Sequence, residues 1–328
     1  MGVDPSRRAL LGKAGSAMAL AGLTSIAPGA VAARERAAAP DGVAGRPPGE
    51  PFGYCLNTST ISGANLTIVE QAKIAAKAGY HAIEPWIRDI VDYEKKGGKL
   101  KDLARQIADL GLSVEDAIGF DEWIVDDDAR RAKGMEAMKR DMDRVAQIGG
   151  KRIAAPPIGA NNKSDPLIPL PVVAQRYRAL LELGEKIGVQ PLLELWGSSK
   201  NLSRLGEVAF VAIEASHPNA SILLDFYHMH KGGSDFAGLS QLNGAALHVI
   251  HTNDWPDLPR EKLTDAHRVY PGDGVAPLGQ ILRTLRDTGF RGYLSLELFN
   301  RDYWKQSPAK VARAGIEKMR EVVRKSLA

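Results

Sequence analysis

Cysteine is almost absent from the sequence. Only one, Cys55, occurs among the 328 residues, so no disulfide can form within the chain. A reactive thiol needs a neighbouring base or cation, and the sequence places none beside Cys55. We therefore expect Cys55 to be a small packed residue near a strand end, and we expect the fold to depend on its hydrophobic core.

Strong net charge of either sign is also missing. The chain carries 43 Lys and Arg against 39 Asp and Glu, a net charge of +4. Such a weak balance does not favour nucleic acid or a membrane surface as a partner. A Gly-rich phosphate turn is lacking after the first apolar run, which disfavours a dinucleotide-binding fold and a phosphorylated ligand.

The first 32 residues are typical of a cleaved export signal. A charged start with Arg7 and Arg8 precedes a modestly apolar stretch and the small-residue site Ala30-Val31-Ala32. The stretch is too short and weak to be a stable membrane anchor, and the paired arginines resemble a twin-arginine signal. We expect a signal peptide over 1–32, a flexible linker rich in Ala, Gly and Pro over 33–50, and a periplasmic location.

From residue 51 to residue 328, short apolar runs alternate with amphipathic stretches. The runs cover residues 52–56, 81–86, 112–118, 152–157, 190–196, 221–227, 246–254 and 293–299. The clearest helical patterns cover 67–80, 101–112, 134–150 and 172–189, and glycines recur at the predicted helix ends, at Gly79, Gly111, Gly149, Gly188 and Gly289. Eight strand–helix units predict one α/β domain, a (β/α)8 TIM barrel over 51–328. A doubly wound open sheet is the alternative.

Acidic and imidazole side chains follow several of the predicted strands. In a barrel, the active site lies at the C-terminal ends of the strands. The candidates there are Glu84, Glu115, Asp116, Glu194, Asp225, His228, His251, Asp254 and Glu297. A single acid at a strand end is more often a helix cap or an ion-pair partner. Several acids on consecutive strands are harder to explain in that way.

Buried carboxylates need compensating positive charge, which a divalent metal ion supplies. We predict one ion bound by Glu194, Asp225, His251 and Glu297. Three carboxylates and one imidazole suit Mn, Co or Mg, with Zn as a further option. We interpret His228 as a neighbour of this ion or a substrate contact.

Five motifs carry a resemblance to a known family. They are "LLELWG" (Glu194), "LLDFYHM" (Asp225, His228), "VIHTNDW" (His251, Asp254), "HRVYPGDGVAPL" (Arg268) and "GYLSLELF" (Glu297). In this order the chain resembles the sugar phosphate isomerase/epimerase family, the xylose isomerase-like barrels, over nearly all of 51–325. The resemblance implies that Glu194 and Glu297 are catalytic and bind the metal, that Asp225 and His251 complete the metal site, and that His228 and Arg268 contact substrate oxygens.

The resemblance also implies the reaction. A keto- or aldo-sugar would be epimerised or isomerised by proton transfer through a metal-stabilised enediolate, since two carboxylates can remove and return a proton. We also expect Glu84, Trp196 and Asp254 at the substrate. Trp86, Phe226 and Trp255 either give further apolar faces for a sugar ring or are packing residues, and both interpretations stay open. The expected partner is a small-molecule sugar. Whether the chain forms a homo-oligomer is left open.

Three alternatives stay open. The enediolate could instead expel a leaving group, as in a lyase acting on 3-keto-glycosides. The barrel could bind an exported sugar without catalysis. Asp265 and His267 form a D-x-H pair similar to one in endonuclease IV, a multi-zinc nuclease, but the predicted second and third strands end without histidine and no dense basic face is present.

Overall fold

Parallel strands form the centre of the structure, a computed structural model that describes residues 50–328. The strands are β1 Gly53–Asn57, β2 Ala82–Glu84, β3 Ser113–Val114, β4 Arg152–Ala155, β5 Gln190–Glu194, β6 Ile222–Asp225, β7 Val249–Thr252 and β8 Tyr293–Leu296. Their order is β3-β2-β1-β8-β7-β6-β5-β4. Between β3 and β4 the ring is bridged by the Ala154 amide, which donates to the Ala117 carbonyl over 2.9 Å.

Helices surround the strands. They are α1 Ile68–Ala78, α2 Ile87–Lys95, α3 Leu100–Asp109, α4 Asp128–Gln147, α5 Leu170–Ile187, α6 Leu205–Glu214, α7 Phe226–Gly232, α8 Leu278–Asp287, α9 Arg301–Trp304 and α10 Pro308–Leu327. Each of the eight predicted runs overlaps one observed strand. The predicted (β/α)8 barrel is confirmed, and the open sheet is wrong.

Helix ends follow the local sequence signals. Thr67 and Glu70 form a capping box at the start of α1, which satisfies free backbone amides there. Gly79 and Gly188 end α1 and α5 with φ of 96° and 87°, a left-handed conformation that glycine adopts without a Cβ penalty. The predicted helix-ending role of these glycines is confirmed.

Apolar side chains pack in two clusters. The larger one joins the strands to the surrounding helices, and the smaller one contains Cys55, Leu192, Leu223 and Val249. Cys55 is fully buried, and burial raises the pKa of its thiol well above the ordinary value. The packed interpretation of Cys55 is confirmed.

Two predicted strands end earlier than expected. Asp225 ends β6, and its side chain accepts the backbone N–H of His228 over 2.9 Å, so the chain enters α7 at once. β7 ends at Thr252, two residues before the end of its predicted run at Asp254. Both changes place the polar residues of these motifs at the boundary between strand and loop, where side chains can converge.

The predicted signal peptide and linker, residues 1–32 and 33–49, lie outside the described residues. Within 50–328, no helix combines the length and the apolar character needed to cross a bilayer. Export to the periplasm therefore stays a prediction.

Asp121 gives a stability prediction that depends on pH. Burial and the neighbouring Asp141 carboxyl raise the pKa of Asp121 to about 7. The folded state therefore holds the proton more tightly than the unfolded chain, whose Asp pKa is about 3.9. This contribution to stability is fully present below about pH 4 and is lost as pH rises through 7. We expect Asp121→Asn to raise Tm by roughly 2 °C at pH 8 and hardly at pH 4.

Thermal melts across pH test this expectation. Asp109→Asn, on the exposed end of α3, serves as the control and should not reproduce the gain in Tm at pH 8. An Asp121→Asn variant that is no more stable than the wild type at pH 8 would contradict the prediction.

Candidate active site

Four of the predicted site residues meet at the C-terminal ends of the strands. Asp225 and His251 lie side by side across β6 and β7, Glu194 ends β5, and Glu297 follows β8. The Nδ1 atom of His251 lies 3.1 Å from Glu297 Oε2, 3.6 Å from Asp225 Oδ2 and 3.7 Å from Glu194 Oε1. The sequence therefore brings three carboxylates around one imidazole nitrogen.

Glu84 holds the other side of this imidazole. Its Oε1 lies 3.0 Å from His251 Nε2, and its Oε2 accepts hydrogen bonds from Asn57 Nδ2 at 2.9 Å and Ser295 Oγ at 2.6 Å. The Nε2–H tautomer fits this contact, and it leaves the Nδ1 lone pair facing the three carboxylates. The Glu84 carboxylate is fully buried and engaged by these partners, and its predicted substrate contact stays a prediction.

Arg268 compensates the negative charge of the cluster. Its Nη1 donates to Asp225 Oδ2 at 2.7 Å and to Glu297 Oε2 at 2.6 Å. Its Nη2 lies 3.1 Å from His228 Nε2 and donates to Asp265 Oδ1 at 2.7 Å. The guanidinium is 1% exposed, and a buried cation of this kind requires such partners.

The electrostatics of these side chains reflect burial and mutual contact. Burial disfavours charge on Asp225, yet Arg268 and His228 hold its pKa well below the ordinary value. Burial raises the pKa of Glu194 to about 8, with Glu297 adding repulsion and His251 opposing the rise. Burial lowers the pKa of His228 to about 4. The cluster thus contains an acid that does not ionise readily without additional positive charge.

The donor set fits a divalent cation. Ligand atoms of Asp225, His251 and Glu297 all lie within 4.8 Å of one another, and Glu194 approaches the same imidazole nitrogen. His251 Nδ1 and Glu194 Oε2 are buried without a hydrogen-bond partner, and such atoms are costly unless a ligand satisfies them. The hydrogen bond that the distal ring nitrogen of His251 donates to Glu84 is the usual support of a metal-binding histidine.

Asp254 follows β7 and is held by backbone amides. Its Oδ1 accepts the backbone N–H groups of Trp255 and Ala276, both at 2.8 Å, and its Oδ2 accepts those of Gly272 and Gly274, both at 3.0 Å. The carboxylate is saturated by backbone donors and 1% exposed. Asp254 therefore holds the loop after β7, and its predicted substrate contact stays a prediction.

The D-x-H pair is divided between two structural roles. Asp265 accepts from Arg268, and His267 Nδ1 lies 3.0 Å from both the backbone nitrogen and the hydroxyl of Thr264. Over residues 50–328, the only group with metal-ligand spacing is Asp225, His251 and Glu297. The arrangement does not support the multi-zinc alternative.

Aromatic rings surround the opening of the cluster. Trp196 lies 6.2 Å from the His228 ring, and Phe120 lies 6.1 Å from Trp196 and 5.0 Å from Trp86. Phe299 lies 5.1 Å from the Arg268 guanidinium carbon. The structure thus places Trp196 and Trp86 at the mouth as expected and adds two rings. Phe226 and Trp255 are almost completely buried, which fits packing rather than ligand contact.

Asn57, Phe120 and Phe299 were missed by the sequence reasoning. Asn57 is fully buried and donates to both Glu84 and Glu297. The sequence did contain a signal for this role, because Asn57 is the polar residue that directly follows the first apolar run. Phe120 lies in a loop, where no periodicity marks it.

We expect Glu84→Gln to weaken binding of a divalent ion by about 10-fold to 100-fold, the usual effect of losing the support of a ligating histidine. The amide can contact His251 but lacks the carboxylate charge. Titration of the metal-free protein with Co²⁺, followed by its visible absorption, measures this affinity. Glu70→Gln at the exposed start of α1 is the control, and equal affinity in both variants would contradict the assigned role.

The fold and this cluster define the chain as a (β/α)8 barrel enzyme with an acid-rich site at the strand ends. The chain belongs to the xylose isomerase-like TIM barrel family, whose model matches residues 72–322. It is 27% identical over 284 residues to inosose isomerase of Bacillus velezensis, covering 83% of this chain and 97% of that protein.

Two further similarities extend the comparison. The chain is 27% identical over 262 residues to 3-dehydroshikimate dehydratase of Pseudomonas aeruginosa, covering 78% of this chain and 39% of that longer protein. A crystal structure of an IOLI protein with a binding zinc atom has a TM-score of 0.77, with 23% identity, covering 84% of this chain and 100% of that one. The structural likeness supports the fold.

Proposed function

We propose that this protein is a divalent-metal-dependent sugar isomerase or epimerase. The observation that carries the proposal is the convergence of Glu194, Asp225 and Glu297 on the Nδ1 atom of His251, with separations of 3.1 to 3.7 Å. The similarity to inosose isomerase supports a keto- or aldo-sugar or a related polyol as substrate. The proposed site is Glu194, Asp225, His251 and Glu297 for the ion, with Glu194 and Glu297 also catalytic.

A bound divalent ion would supply a Lewis acid that stabilises negative charge on a substrate carbonyl oxygen. Glu194 or Glu297 then takes the proton from the carbon next to that carbonyl, and the electron pair of the broken C–H bond forms the enediolate of the substrate. The other glutamate returns a proton, and the side of its return sets the product.

Two buried nitrogen atoms are free to contact substrate oxygens. Arg268 Nε and His228 Nδ1 have no hydrogen-bond partner among the described residues, and buried polar atoms of this kind are normally satisfied by a ligand or water. Arg268 and His228 also bond to each other, which fixes their orientation. This supports their proposed role in positioning the substrate.

The metal is proposed as Zn, Mn, Co or Mg. Zinc is supported by the IOLI protein structure, which has a binding zinc atom, and an oxygen-rich donor set also suits the other three ions. We also propose that the enzyme is exported to the periplasm. Only the N-terminal sequence pattern supports this part of the proposal.

A lyase is the second candidate. The similarity to 3-dehydroshikimate dehydratase favours it, because loss of water from the carbon β to a carbonyl can follow removal of a proton next to that carbonyl. In that case the enediolate expels a leaving group from the neighbouring carbon, and the C–H electron pair becomes a new C=C bond. Absorbance of an unsaturated ketone product would distinguish the lyase from an epimerase.

Metal content and proton exchange test the proposal together. We expect about one divalent ion per chain by mass spectrometry, and metal-dependent incorporation of deuterium from D₂O into a panel of keto-sugars and inososes. A chelator should abolish exchange, and readdition of the ion should restore it. Protein that binds no ion after exposure to Zn²⁺, Mn²⁺, Co²⁺ and Mg²⁺ would overturn the proposal, and about three zinc ions would revive the nuclease.

A further inference from the structure

A second cavity lies beside the mouth of the barrel. It has a volume of about 300 Å³, and its apolar walls include Trp86, Val91, Ile118 and Phe120. These residues come from the β2–α2 region and from the loop that follows β3. We call this space the side cavity. Its size is at the lower end of the range for small-molecule sites, so it suits one compact group.

Trp86 forms a wall shared by the side cavity and the active site. Its Nε1 donates to Asn57 Oδ1 at 3.0 Å, and Asn57 Nδ2 donates to Glu297 Oε1 at 3.1 Å. The indole is therefore two hydrogen bonds away from a proposed catalytic carboxylate. Phe299 packs edge-on against Trp86 at 6.1 Å. The side cavity and the proposed active site therefore share Trp86 as a common boundary.

Phe120 makes the cavity suited to a flat apolar group. Its side chain is 42% exposed, although its ring lies 5.0 Å from Trp86 and 6.1 Å from Trp196. A large aromatic residue exposed at the rim of a polar site offers its face to a ligand ring. The ring also joins the side cavity to Trp196, which borders His228.

The charged residues of the side cavity are already paired. Arg88 lies 3.7 Å from Asp89 and 4.1 Å above the Trp86 ring. Lys95 lies 3.9 Å from Asp92, and Asp141, which also lines the cavity, accepts from Arg144 at 2.8 Å. Since each charge has an opposite partner, the cavity does not favour an anion or a cation. Its occupant is neutral.

We propose that the side cavity binds the neutral aromatic aglycone of a glycoside, so that the substrate class is an aryl glycoside whose sugar ring carries a ketone, rather than a free monosaccharide. This inference rests on the proposed sugar-directed function of the neighbouring site. The sugar ring occupies the polar space near Arg268 and Glu297, and the aglycone lies against Trp86 and Phe120.

Isothermal titration calorimetry tests the inference without turnover. The probes are matched 4-nitrophenyl and methyl glycosides of glucose, galactose and mannose. We expect the wild-type protein to bind at least one aryl glycoside about tenfold more tightly than its methyl counterpart. Phe120→Ala should reduce that preference to threefold or less. Phe210→Ala is the matched control, because Phe210 is 37% exposed on α6, away from the cavity lining, and it should keep the full preference.

Three results overturn the inference: equal binding of the aryl and methyl members of every pair, no binding of any probe, or a preference that survives Phe120→Ala. The outcome is independent of the proton-exchange experiment, because that experiment uses free keto-sugars without an aglycone. Failure of exchange with a retained aryl preference would remove the catalytic proposal alone. Exchange without an aryl preference would remove only the aglycone site.

Discussion

Glu297→Gln and Glu194→Gln will each lower the rate of deuterium incorporation into the substrate by about 10³-fold, within the range for loss of a positioned acid or base. Glutamine keeps the shape of the side chain but can neither accept the substrate proton nor contribute a negative charge to the metal site. Both glutamates face the same imidazole nitrogen, at 3.1 and 3.7 Å. The reaction is measured at saturating divalent metal, so that weaker ion binding does not account for the loss.

Glu115→Gln is the matched control for these variants. Glu115 is also a buried glutamate that follows a strand, but its carboxylate accepts from Arg152 Nη1 at 2.9 Å, and Arg152 begins β4 at the opposite end of the barrel. We expect its rate per folded molecule to remain within about twofold of the wild type. If Glu194→Gln or Glu297→Gln kept a tenth of the wild-type rate, the assigned proton transfer would be wrong.

The comparison of Glu115 with Glu194 shows which parts of the site were predictable. The spacing of apolar residues and the position of polar residues after a predicted strand are local properties of the sequence. They predicted the barrel and the convergence of Glu194, Asp225, His251 and Glu297. The direction of a side chain in a short or irregular segment is not local. β3 contains only Ser113 and Val114, so alternation could not show that Glu115 faces Arg152.

Contacts between segments that are distant in the sequence could not be predicted either. Glu84 was expected at the substrate, and the sequence did not show that it supports His251 while Asn57 and Ser295 hold its second oxygen. Asp254 was expected there too, and the sequence did not show that the loop after β7 folds back and surrounds its carboxylate with amides. In both cases the deciding partners come from other elements, and strand-end position alone could not identify them.

Arg268→Met will destabilise the metal-free protein by about 3–5 kcal/mol, the usual cost of removing one partner from a buried ion pair. Methionine keeps much of the apolar stem but leaves Asp225 and Glu297 without the guanidinium that now lies 2.7 and 2.6 Å from their oxygens. Chemical denaturation in the presence of a chelator measures the loss. Arg320→Met is the matched control, because Arg320 lies over the Tyr54 ring and donates to the Gly79 carbonyl, away from the cluster.

A divalent ion should increase the stability of Arg268→Met more than it increases the stability of the wild type. The carboxylate oxygens that contact Arg268 are also the proposed ion ligands, so guanidinium and ion neutralise the same charge. An ion at 100 times its Kd stabilises a protein by about 2.7 kcal/mol. We expect the ion to stabilise Arg268→Met by more than this, because it relieves uncompensated repulsion between carboxylates there. We expect it to stabilise Arg320→Met by as much as it stabilises the wild type. Equal gains in all three proteins would show that Arg268 and the ion act on different groups, and the metal site would then have to be sought away from Asp225 and Glu297.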